Sequence, residues 1–202
     1  MALVIIIGAL VVVALLAFIV IRNSMIGSRN RVEEAWSGID VQLKRRHDLV
    51  PNLVESVKGY ATHEKQLFEN VTQARSVAMA ARTPDQAGPA ENRLSSVLGD
   101  LRAVAENYPQ LRATENFQQL SRSLTEIEDE IQASRRIYNS NVQSYNTQIQ
   151  IFPNSIVAGL GNFEAREFFE IEDAAQREPV AVDFSDPPPQ QPPPQQQPAA
   201  GE

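Results

Sequence analysis

The stretch that decides the fold is WSGIDVQLKRRHDLVPNLVESVKGYATHEKQLFENVTQARSVA, Trp36 to Ala78. Trp36, Ile39, Leu43, Arg46, Val50, Leu53, Val57, Tyr60, Glu64, Leu67, Val71, Ala74 and Ala78 follow one another at alternating spacings of three and four. That spacing is a heptad seam on one helical face, with Arg46 and Glu64 as its polar members. Pro51 falls inside it; a proline removes one intrahelical hydrogen bond and its ring pushes on the carbonyl of His47. The register stays in phase across Pro51, so the stretch predicts one kinked, continuous helix.

Upstream, Leu3 to Ile21 (LVIIIGALVVVALLAFIVI) is an uncharged run of 19 residues. At 1.5 Å per residue it spans about 28 Å, which matches a bilayer core of about 30 Å. No cation precedes the run, it is longer than the apolar core of a signal peptide, and no A-x-A site follows, so it is read as an uncleaved membrane span. Arg22, Arg29 and Arg31 follow it, which places the C-terminal bulk in the cytoplasm by the positive-inside rule. Gly27-Ser28 reads as a hinge, and Asn30 with Glu33 as a capping box opening the next helix.

Downstream, TPDQAG (Thr83–Gly88) reads as a turn and Pro89 as the first residue of a helix with Leu94, Val97, Leu101, Val104 and Tyr108 as its stripe. Pro109 ends or bends that helix. Thr114 caps another, whose seam runs Phe117, Leu120, Leu124, Ile127, Ile131, Ser134, Tyr138 and then shifts through a stutter to Val142, Tyr145, Ile149 and Phe152. Phe163 to Gln176 reads as a short helix laying Phe168, Phe169 and Ile171 on the bundle. From about Pro179 the Pro/Gln-rich composition predicts a disordered tail whose PxxP matches read as solvated rather than as a ligand. The expected fold is all-α: a transmembrane anchor and hinge over 1–27, a long antiparallel, up-and-down helical bundle over 28–178, and the tail over 179–202.

Composition narrows the chemistry. The chain has 202 residues, 43% apolar and 6% aromatic, which suits helix packing, and a net charge of −7, which argues against nucleic acid as a partner. With no cysteine there is no disulfide and no thiolate site. His47 and His63 lie 16 residues apart, about 24 Å and 160° on one helix, so they do not share a metal. No di-iron motif and no nucleotide loop occurs, so no cofactor and no catalytic residue is assigned. Glu126, Glu128, Asp129 and Glu130 read as a solvated face, the histidines as solvent-facing or hydrogen-bonded, and Trp36 and Tyr60 as core.

Lys44, Arg45, Arg46 and Glu64 remain as candidate partner-binding or register-setting residues. Arg46 and Glu64 are about 27 Å apart on a helix and cannot pair with each other. The simpler expectation is that each lays its stem over the core and keeps its charge outside; the other is that they fix helix register. Lys44 lies 23 residues beyond Ile21, so an upright helix holds it more than roughly 30 Å from the bilayer, beyond a Debye length of about 8 Å. The three cations are therefore read as structural or partner-facing rather than lipid-binding.

The blocks RNRVEEAWSGIDVQLKRRHDLVPNLVESVKGYATHE (Arg29–Glu64) and YNSNVQSYNTQIQIFPNSIVAGLGNF (Tyr138–Phe163), with FFEIE ahead of VDFS, resemble the LemA family of bacterial membrane proteins over about Met1–Ser185. The resemblance implies one N-terminal span followed by a long antiparallel helical domain, and supplies no activity or catalytic residues. The functional expectation is a membrane-anchored scaffold or interaction protein of the bacterial cell envelope, single-pass in the inner membrane. Its expected partners are the bilayer and a second copy of the chain or another membrane protein, because the long seam outruns the helix that follows it. A membrane-tethered sensor kinked at Pro51 and a carboxylate-dependent hydrolase are the rival readings.

Overall fold

The computed structural model describes residues Met1–Glu170, and among them every regular element is helical. The first element, α1, is Ala2–Lys58, one uninterrupted helix of 57 residues and about 86 Å. The expected hinge at Gly27-Ser28 does not occur, nor does Asn30 cap a second helix. A glycine costs a helix only about 1 kcal/mol, and here Met25, Ser28 and Val32 are buried against neighbouring elements on the same face. Ser28 satisfies its hydroxyl on the Ser24 carbonyl one turn back. Tertiary packing thus carries α1 straight from the apolar run into the bundle.

The seam then reverses where a continuous helix was expected. α1 stops at Lys58 with Gly59 at its end, residues 59–64 turn the chain, and α2 is Lys65–Ala80. Val57 and Ala61 stay fully buried while Tyr60 is exposed in the turn, so Tyr60 is not core. α2 runs back along α1, with Phe68 beside Lys58 and Arg75 beside His47. α3 is Pro84–Glu106, starting five residues earlier than expected because Pro84, not Pro89, takes the first helical position. Its buried face is Ala87, Glu91, Leu94, Leu98, Leu101 and Ala105. Val97, Val104 and Tyr108 only border it.

A single turn, α4 (Pro109–Arg112), leads to α5, Glu115–Gln150. Thr114 caps α5 as expected: its hydroxyl accepts from the Phe117 amide and donates to the Leu111 carbonyl. Phe117, Leu124, Ile127, Ile131, Tyr138, Val142, Tyr145 and Ile149 are all buried, so the seam passes through the stutter intact. Phe152, expected to close that seam, instead points to solvent. α5 lies antiparallel along α1, with Glu128 against Arg46, Asn141 against Arg31 and Gln148 against Ser24. The architecture is an up-and-down helical bundle built on one long mast.

The short α6, Asn154–Leu160, folds back under the end of α5. Where a helix was expected from Phe163, the chain is extended over 163–170; residues 171–176, with Ile171, lie outside the described residues, as does the Pro/Gln-rich stretch. The reason lies on α5. The Asn146 side-chain amide bonds both the N–H and the carbonyl of Arg166, Asn139 does the same for Phe169, and the Tyr138 hydroxyl donates to the Glu167 carbonyl. Seven helical residues rise about 10.5 Å and three extended residues about 10 Å, so the two asparagines match the spacing from Arg166 to Phe169. Phe169 is thereby driven to 0% exposure, edge-on to Trp36 at 5.4 Å.

Two apolar cores stack along α1. The distal core gathers Val50, Leu53, Val57, Phe68, Val71, Leu94, Leu98, Leu101, Phe117 and Leu124 from α1, α2, α3 and α5. The proximal core, nearer the apolar run, gathers Met25, Ile39, Leu43, Ile131, Tyr138, Val142, Tyr145 and Phe169 from α1, α5 and the extended segment.

Candidate functional site

Between the two cores lies a charged layer. On α1, Arg46 separates Leu43 of the proximal core from Val50 of the distal one; on α3, Glu91 separates Ala87 from Leu94; on α5, Glu128 follows Ile127 and lies one turn beyond Leu124. Arg46 is 1% exposed and Glu91 0%. The expectation that Arg46 carries its charge outside is therefore corrected. Its spacing on the seam aims the side chain inward, and the two neighbouring helices supply carboxylates to receive it.

The guanidinium is held from several directions. Nη2 is ion-paired with a Glu91 carboxylate oxygen, while Nη1 donates to Ser95 Oγ at 2.9 Å and to Glu128 Oε1 at 3.1 Å. The other Glu91 oxygen meets His47 Nε2 at 2.7 Å. Burial pushes the Glu91 carboxyl up, but the His47 hydrogen bond and the Arg46 charge outweigh it and hold the group below its ordinary value of 4.5. Glu91 is therefore an anion in the folded protein, and one partner removed leaves the other charge stranded. Glu128, expected to lie on a solvated face, is half-exposed and reaches in to Arg46, whereas Glu126, Asp129 and Glu130 are exposed as expected.

Pro51 supplies the second local feature. Lacking an N–H, it leaves the His47 carbonyl without its intrahelical donor, and Arg75 Nε on α2 donates to that carbonyl at 2.6 Å. Arg46 and His47 thus tie α1 to α3 and α5 through side chains, and to α2 through a backbone carbonyl.

The remaining sequence candidates separate from this layer. Lys44 is exposed and paired with Asp48 at 3.0 Å, Arg45 is exposed and donates to Gln42, and Glu64 sits half-buried at the start of α2 without capping it. The structure does not bring Lys44, Arg45 and Glu64 to the buried site. Glu91, Arg75, Asn139 and Asn146 were not singled out from sequence. Glu91 was within reach of it, being one heptad step before Leu94.

The chemistry this layer offers is electrostatic locking. Glu91 has no path to a substrate. An open depression of about 540 Å³, bordered by Trp36, Asp40, Lys44, His47, Asp48 and Met79, exposes only the edge of His47 from the layer. Among the described residues no group of three His, Asp or Glu side chains is placed to hold a metal ion. In the proximal core, burial, with Arg166 opposing and Glu167 adding to it, pushes the Tyr138 hydroxyl up to about 12. It remains a donor to the Glu167 carbonyl at 2.8 Å.

The model of the LemA family matches residues 35–184. Protein LemA of Metamycoplasma hominis is 31% identical over 139 residues, covering 68% of this chain and 63% of that protein, so the match spans less than two thirds of the relative's length. Magnetosome protein MamQ 2 of Paramagnetospirillum magneticum is 26% identical over 196 residues, covering 84% of this chain and 72% of the relative. Magnetosome protein MamQ of Magnetospirillum gryphiswaldense is 23% identical, covering 83% and 72%. With its apolar N-terminal run outside the bundle and its family matched over most of its length, this chain is a membrane-associated helical protein that belongs to the LemA family.

Proposed function

We propose that the protein is a single-pass scaffold of the bacterial cell envelope, anchored in the inner membrane by Leu3–Ile21 and presenting the bundle to the cytoplasm. The observation that carries this reading is the continuity of α1. The exposed apolar run and the bundle's core face belong to one helix, so whatever docks on the bundle is held at a fixed height above the bilayer. Arg46 and Glu91, the most deeply buried charged groups among the described residues, pair with one another instead of facing a cleft, which favours a structural role over catalysis. The names of the relatives specify no reaction.

Self-association loses its first argument. The seam expected to remain free is covered by α5 along the proximal half of α1. Association with a second copy or another membrane protein is proposed instead through the exposed span and the apolar lip of Val41 and Met79. Because the chain contains no cysteine, Val77→Cys on the exposed face of α2 gives a single reporter. A membrane-impermeant maleimide should leave it unlabelled in intact cells and label it after permeabilisation. Labelling in intact cells puts the bundle outside and contradicts the orientation. In the same membranes, Val41→Cys crosslinking should yield adducts larger than the monomer; a solely monomeric product contradicts the association.

A further inference from the structure

The end of α5 and α6 carry an apolar surface with no partner among the described residues. Ile151, Phe152, Ile156 and Leu160 are exposed, Phe152 at 81% and Leu160 at 72%. Ile156 and Leu160 lie one turn apart on one face of α6, while Val157 and Ala158 on its other face are buried in the proximal core. No charged residue occurs from Ile151 to Phe163. A patch of this kind facing water is unfavourable and usually marks an interaction surface.

Its height identifies what covers it. Gln148 Nε2 donates to Ser24 Oγ at 2.9 Å, which places this level of α5 beside α1 three residues past the apolar run. α5 descends toward the run, and the two helical residues from Gln148 to its end at Gln150 carry the chain roughly 3 Å further. The helix therefore ends at the level of Arg22, where the uncharged run ends, with Ile151 and Phe152 just beyond it. The proximal core makes the same connection, since Phe18 and Ile21 of the run pack against it. The unpartnered surface is thus continuous with the surface of the span.

We infer that Ile151, Phe152, Ile156 and Leu160 form a foot that enters the lipid bilayer beside the span, a second membrane contact resting on the reading that Leu3–Ile21 crosses that bilayer. Apolar faces of interfacial segments settle about 5–10 Å into the headgroup and acyl boundary, a depth that side chains of this size reach from the level of Arg22. Two contacts on one side of the bundle restrain its tilt. One span alone leaves α1 free to lean.

The test uses the full chain in lipid nanodiscs with one spin label per variant, at Phe152→Cys and Leu160→Cys. Val12→Cys within the apolar run and Ile137→Cys on the exposed face of α5 serve as references. Lipid-soluble oxygen should broaden the signals at 152 and 160 more than a water-soluble nickel chelate does, as at 12, while 137 shows the reverse order. If 152 and 160 behave like 137 while 12 stays lipid-accessible, the foot is refuted and the span stands. If 12 is also water-accessible, the span reading fails and the foot falls with it. Poor access to both reagents, with spin–spin broadening at 152 that disappears on dilution with unlabelled chain, identifies a second copy as the cover and overturns the inference.

Discussion

The two cores stacked on α1 are built by different means. The distal core is a packing of helix on helix: its residues recur at helical spacing on α1, α2, α3 and α5, and nearly all are aliphatic or Phe. The proximal core rests mainly on α1 and α5, so it closes its open side with a segment that α5 grips through side-chain amides and through Tyr138, and it fills the gap with Trp36, Tyr138, Tyr145 and Phe169. A helix can be added to a bundle by continuing a stripe. A segment without regular structure laid on a bundle must have its backbone groups satisfied one by one, and Asn139 and Asn146 do this for Phe169 and Arg166. The ionic layer of Arg46, Glu91, His47 and Glu128 marks the boundary between the two constructions.

The largest effect is expected at that boundary. Glu91→Ala leaves the buried Arg46 guanidinium with only the half-exposed Glu128 as counter-charge and should cost about 3 kcal/mol, read from denaturant unfolding of the full chain in detergent. Arg46→Met together with Glu91→Leu removes both charges and should recover most of that loss. A double variant as unstable as Glu91→Ala would mean that shape, not charge, is the issue. The same site sets an acid limit. Because the Glu91 carboxyl is held below 4.5, its contribution is fully present above that pH and is lost as pH falls toward the folded value, the unfolded chain taking up the proton first. Glu91→Gln should be weaker throughout and flatter across this acid range; an unchanged acid slope would contradict the assignment.

Phe169→Ala separates the cores. Removing a fully buried phenylalanine costs about 3 kcal/mol or more in a rigid core, but here the segment can detach, so hydrogen exchange should rise over 163–170 and the facing part of α5 while the distal core stays protected. Uniform loss of protection would show the two cores to be one cooperative unit. Gly88→Ala should release the same segment more gently, since a Cβ there would meet the Glu170 carbonyl oxygen at 2.5 Å.

Arg75→Ala tests the distal half alone. It leaves the His47 carbonyl without its donor, at a cost of about 1–3 kcal/mol. Pro51→Ala restores an intrahelical N–H, so the double variant should be less destabilised than Arg75→Ala. Strict additivity would mean the two residues act independently. At the small end, Lys44→Ala with Arg45→Ala should change stability by no more than about 1 kcal/mol, since both partners are exposed. It should also leave vesicle binding unchanged. A salt-sensitive loss of binding would reverse that reading.

The distal core was largely legible because its signal is periodicity, and Val50, Leu53, Val57, Val71 and Ala74 fall where the spacing puts them. Periodicity is blind to reversal, however. A hairpin whose turn keeps the phase reads as one long helix, and only Gly59 hinted at the stop between α1 and α2. The hinge at Gly27-Ser28 failed for the opposite reason: local breakers were present, but α5 packs across them. Glu91 was missed because the stripe was begun at Leu94, one step after it, and a carboxylate in the first turn after Pro89 reads as an ordinary helix start. Asn139 and Asn146 carry no readable signal, since their partners are backbone groups of residues with no required side chain.

α1 runs as one continuous helix from the apolar run to the far end of the bundle. The direct test is hydrogen exchange of the full-length protein in nanodiscs, read at the amides of residues 23–31. An unbroken helix packed beneath α5 predicts protection there comparable to that of Ile39 and Leu43. Exchange at loop rates at Gly27, Ser28 and Arg29 would restore the hinge, release the bundle from the membrane normal, and contradict the account.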